Sequence, residues 1–176
     1  MTYAAVDLRQ MPLIDLAGQD GLQGAIALFG SQVNRIAPFQ STSVQWQGAS
    51  GSLLRLCENN FRLRWQGGHE SGITAALQSA TAGSWVRSLP WLTAIAYPAA
   101  HLADLVPLIT PTPPHQLIGL PLNCAAVGRF EGRSLLVWHH SLAGQAVVEL
   151  HMATAHQEAI ASGLTMQPDG LARHKG

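Results

Sequence analysis

The stretch at residues 135–151, LLVWHHSLAGQAVVELH, admits two incompatible accounts, and the choice between them decides the fold. Adjacent histidines followed by small residues suit acyl-transfer chemistry, whereas two strands joined by a tight turn suit a scaffold. Side chains alternate along a strand, so Leu136, Trp138, His140 and Leu142 share one face while Leu135, Val137, His139 and Ser141 share the other. The two histidines therefore diverge. His140, between Trp138 and Leu142, falls on the side expected to meet a core, where a neutral, hydrogen-bonded imidazole is the ordinary outcome. Ala143-Gly144 then serves as the turn, and QAVVELHM is the returning arm.

Reading outward from this hairpin, CAAVGRF leads into a turn at Glu131-Gly132, which makes the region from Ile118 onward a three-strand meander. Thr154 and Gln157 have capping-box spacing for a final helix ending near Gly163. Toward the N-terminus, PLIDLA at 12–17 reads as a strand, and Asp20 opens a helix with Leu22, Ile26 and Phe29 on one face, stopped by Gly30. STSVQWQG follows. Phe61, Leu63 and Trp65 alternate with Arg62 and Arg64, a pattern that predicts a half-buried strand with solvated arginines. The turn formers Glu58-Asn59-Asn60 make 53–57 and 61–65 either hairpin arms or one bulged strand. Ser71 is expected to cap a helix carrying Ile73, Ala76, Leu77 and Ala80, with Gly83 as its stop. SWVRSLPWLTAIAY supplies one or two strands, Pro98 begins a third helix that Pro107 breaks, and TPTPPH at 110–115 is a stiff connection too short to separate domains.

These elements predict an α+β fold: one domain over 1–165, antiparallel sheets with packed helices, and a C-terminal three-strand meander followed by a helix. Residues 166–176 are expected to form a flexible tail. The chain has 176 residues, enough for one core. Charged residues make up only 11% of it, well under the usual quarter, which implies that part of the surface is covered by another subunit. Zero formal charge gives no electrostatic footprint for nucleic acid. No apolar run is long enough for a membrane span, and MTYAAVDLRQ lacks a signal-peptide pattern, so a cytoplasmic protein is expected.

Nucleophiles and metal ligands are sparse. Lys175 is the sole lysine, which removes Schiff-base and Walker chemistry from the fold. Cys57 and Cys124 have no motif spacing and are expected to be reduced, semi-buried thiols. Ser71, near His69 in GGHESG, lacks the glycine two residues earlier that a nucleophile elbow requires. Glu149 and His151 share a strand face with His156 nearby, but a strand residue and a helix residue five apart do not match zinc-ligand spacing, so no metal site is expected. His101 flanks the apolar face of its helix and is expected to be exposed.

HHSLAGQ resembles the HHxxxDG motif of chloramphenicol acetyltransferase-like enzymes and condensation domains, where the second histidine is the general base. That resemblance would make His140 catalytic, although position 144 holds Gly in place of the family's Asp. A second resemblance spans Val6 to Leu164. PLIDLAG, LLRLCENNFRLRW, ITAALQSATAG, WVRSLPWLTAIAY, AAHLADLVPLIT and the closing meander with its helix resemble, in order and spacing, the gamma subunit of heterotetrameric sarcosine oxidase within the glycine-cleavage T-protein-like family. It implies a noncatalytic accessory subunit of a flavin-dependent complex that oxidises an N-methyl amino acid. Flavin, NAD and folate would then be held by partner protein subunits, with no cofactor bound by this chain alone and no catalytic residue of its own.

Overall fold

The structure, a computed structural model, describes residues 5–67 and 70–165. Among the described residues, ten strands form two five-stranded antiparallel sheets. The first sheet is built from β1 (Leu13–Gly18), β2 (Ser41–Trp46), β3 (Ala49–Arg55), β4 (Phe61–Trp65) and β5 (Ser84–Arg87), ordered β2-β3-β4-β1-β5. The second contains β6 (Leu92–Pro98), β7 (Thr110–Pro111), β8 (Cys124–Phe130), β9 (Arg133–Leu142) and β10 (Gln145–Ala153), ordered β6-β10-β9-β8-β7. The sheets pack face to face, each with helices on its outer side. Helices α1 (Gly21–Phe29) and α2 (Glu70–Ala80) cover the first sheet, while α3 (Leu102–Leu105) and α4 (Gln157–Thr165) cover the second. This is the α+β arrangement that the element order predicts.

Strand parity explains the layers. Ile14 and Leu16 of β1, Leu53 of β3, and Phe61, Leu63 and Trp65 of β4 point outward, where they form one core with Phe29, Ile73 and Leu77 of the helices. Leu135, Val137, Val148, Leu150 and Met152 do the same beneath Leu105, Ile160 and Leu164. Burying such side chains contributes about 1.5–3 kcal/mol each, so both outer layers are driven by apolar transfer. The opposite parity faces the other sheet. There Leu54, Ala125 and Trp138 form only a small apolar cluster, and Asp15, Arg62, Arg64, His140, Glu149 and His151 are buried polar groups of the same layer.

The meander is present with both expected turns. Glu131-Gly132 and Ala143-Gly144 have positive φ at both positions, 47° and 80°, then 49° and 79°, the two-residue turn whose twist matches its strands. The 53–65 region resolves as a hairpin, β3 to β4. Several expectations need correction. Arg62 and Arg64 are buried rather than solvated, and β4 is buried on both faces, because the second sheet covers what the alternation marks as a solvent side. Ser71 lies inside α2, which already begins at Glu70, so it is not the N-cap. Residues 118–123 form turns, with strand pairing starting at Cys124, since Gly119 and Asn123 both take positive φ. Cys57 is exposed in the β3–β4 turn, whereas Cys124 is half-buried as expected. His69 and the tail at 166–176 lie outside the described residues.

Candidate functional site

Between the sheets lies a continuous chain of hydrogen-bonded charges. Asp15 accepts from Arg62 Nε at 2.6 Å and Nη2 at 2.7 Å. Arg62 Nη1 donates to His151 Nδ1 at 3.1 Å, which fixes the proton of this ring on Nε2. That Nε2–H donates to Glu149 Oε1 at 2.8 Å, and His140 Nε2 donates to Glu149 Oε2 at 3.0 Å. Arg64 adds its Nε, 3.0 Å from Oε1, and an ion pair through Nη2. Its Nη1 donates to the carbonyl of Met11.

Glu149 and His140 are both 0% exposed. A carboxylate so placed would be driven neutral by desolvation, but Arg64, His151 and His140 outweigh burial and hold it well below the usual carboxylate range. His151 goes the other way: burial first, helped by Arg62 and Arg64, pushes it down to about 4 against the pull of Glu149. At neutral pH Glu149 is thus a carboxylate and His151 a neutral imidazole, set beside the guanidinium groups of Arg62 and Arg64.

His140 and His139 diverge as strand parity requires. His140 lies flat against Trp138, ring centroids 3.8 Å apart and 15° from parallel, while Trp138 Nε1 donates to Ser41 Oγ across the interface at 3.0 Å. His139 is half-buried on the outer side, with Nδ1 2.9 Å from the carbonyl of Leu120. Among the described residues, Nδ1 of His140 has no partner. A general base must come within hydrogen-bond reach of the proton it takes, and an adjacent carboxylate can orient it. His140 has the carboxylate, Glu149, but its ring is sealed between the sheets.

Glu149 and His151 do meet, yet the oxygens of Glu149 already take five hydrogen-bond contacts from Arg64, His140 and His151. Among the described residues no set of three His, Cys, Asp or Glu side chains could hold a metal. His101 is half-buried rather than exposed, 3.8 Å from Asp104. Sequence reasoning missed Asp15, Arg62 and Arg64 as partners of this network. The available signal was a single acid in each of two largely apolar strands, LIDLAG and QAVVELHMA. Such a residue is rarely buried unpaired.

No family model matches the chain, and no curated protein is similar to it in sequence. Solved structures do share its fold. The glycine cleavage system aminomethyltransferase T from Bartonella henselae superposes with a TM-score of 0.67 at 18% identity over 93% of this chain. This chain spans 46% of that protein, about half its length. A chain of heterotetrameric sarcosine oxidase from Corynebacterium sp. U-96, in complex with pyrrole 2-carboxylate, gives 0.62 at 15% identity, covering 92% of this chain and 80% of that one. The fold is therefore T-protein-like.

Proposed function

We propose that this chain is a noncatalytic accessory subunit of a multi-subunit, flavin-dependent amine oxidase complex of the sarcosine oxidase type. Flavin, nicotinamide and folate would be held by its partner subunits. The observation that carries this reading is the reach of the structural likeness, 92% of this chain on 80% of a sarcosine oxidase chain, which makes it a likeness of whole scaffolds. The site supports it. Of the histidines that suggest acyl transfer, His139 is bonded to the carbonyl of Leu120 on the outer side, and His140 is bonded to Glu149 of the neighbouring strand and closed to substrate. The surface supports it too, because Trp85, Trp91, Ile118 and Leu122 are exposed on a chain with 11% charged residues. Exposed Trp is the residue type most enriched among energetically dominant interface contacts.

Size-exclusion chromatography of the chain with and without candidate flavoprotein subunits tests the proposal. Co-elution as a stable complex is expected. A monomer with acyl-CoA-dependent activity that His140→Ala abolishes would replace this reading with an acyltransferase using His140 as its general base.

A further inference from the structure

The second sheet extends past the edge of the charged layer. Val127, Leu136 and His151 form one register row across β8, β9 and β10 on the inner face, and in the next row outward Arg129 and Ser134 are exposed. The uncovered strip is the floor of a groove of about 760 Å³, a volume within the usual range for small-molecule sites. Arg62 reaches it from β4 of the first sheet, and Trp91, Arg133 and His156 stand around its rim.

Arg62 decides what the groove can take. A guanidinium carries five N–H donors. Asp15 takes two of them and His151 a third, which leaves two without a partner among the described residues. The side chain is 9% exposed, so these donors are almost fully withdrawn from bulk water, and donors so placed cost free energy until an acceptor meets them. One is on Nη1 and one on Nη2, and each can donate to a carboxylate oxygen. Trp91, 59% exposed, offers a bare aromatic face at the rim, and Leu136 offers an apolar floor. Asp15 offsets the charge of Arg62, and Glu131 that of Arg133, 3.1 Å away. Attraction in the groove is thus short-range and directional, which suits one carboxylate better than a polyanion.

We propose that this groove is a binding site for a small planar carboxylate, its oxygens on the free N–H groups of Arg62 and its ring between Trp91 and Leu136. The site goes beyond the accessory-subunit reading and does not depend on it. Titration of the full chain with benzoate, followed by tryptophan fluorescence and by the NMR signals of Trp91 and His151, tests it. Saturable binding is expected, weakened roughly tenfold by Trp91→Ala and roughly tenfold when benzyl alcohol, the same ring without the carboxylate, replaces benzoate. Arg62→Lys, which keeps the charge and loses the fork, should weaken benzoate while leaving benzyl alcohol unchanged. Should that variant fail to fold, the rim variant and the alcohol comparison decide alone. A response that does not saturate, equal affinity for benzyl alcohol, or shifts confined to residues away from the groove would overturn the site, with water alone meeting the Arg62 donors.

Discussion

The two faces of β4 show how differently the layers of this protein are held. Outward, Phe61, Leu63 and Trp65 pack under helices in an apolar layer; inward, Arg62 bonds Asp15 of the neighbouring strand, and Arg62 and Arg64 reach across to His151 and Glu149 of the second sheet. The outer layer gains from transfer out of water and tolerates many shapes. The inner layer gains little net energy from its charges, because desolvation consumes most of the Coulomb attraction, but it penalises any arrangement in which a partner is missing. Apolar packing supplies the stability of each half, and the charged layer fixes which register of the two sheets is acceptable.

The strongest test of that division is Glu149→Leu. It leaves Arg64 buried without its counter-ion and is expected to cost about 3–5 kcal/mol in urea denaturation. Adding Arg64→Met should recover a large part, with a deficit remaining because the Nε2–H groups of His140 and His151 still lack an acceptor. If the double variant is no more stable than the single one, the inner layer is held by something other than charge pairing. In the outer layer, Leu63→Ala should cost about 2–5 kcal/mol through the cavity it leaves.

Protons separate the layers more finely. His151 titrates near 4 in the fold and near 6.5 when unfolded. Between those values the unfolded chain binds a proton that the folded chain refuses, so stability falls as pH drops from about 6.5 to about 4, by up to about 3 kcal/mol. Glu149, also held below its unfolded value, extends the loss to lower pH. Thermal denaturation across this range should show the slope in the wild type and, displaced but parallel, in Leu63→Ala. In His151→Phe the slope between 6.5 and 4 should flatten. A slope unchanged by His151→Phe would place the acid sensitivity elsewhere.

How much of this was legible in the sequence follows the range of each interaction. The β9–β10 hairpin and the opposite facing of His139 and His140 depend on residues a few positions apart, and parity alone gave them. The burial of Arg62 and Arg64 depends on Asp15, 47 positions from Arg62, and on Glu149, 85 positions from Arg64. Alternation records that two faces of β4 differ, not that a second sheet covers the polar one. The groove is harder still, since it arises from where one sheet stops short of the other.

The β9–β10 turn is the place where the comparison can be sharpened without touching either layer. Ala143 holds φ at 49°, a conformation that costs a residue with a Cβ and that Asn adopts far more readily. Its N–H donates to the side chain of Gln66 at 2.9 Å, a bond that substitution preserves. Ala143→Asn should therefore raise stability by about 0.5–1 kcal/mol, read as a higher denaturation midpoint. Ala143→Val, β-branched at positive φ, should lower it. This turn joins the strands that carry His140 and Glu149, so the pH slope is the discriminating readout. A pure turn effect shifts the whole curve and leaves the slope between 6.5 and 4 as it was. A changed slope would mean that the hairpin sets the surroundings of His151, and that the charged layer is tuned from the turn rather than from the opposing sheet.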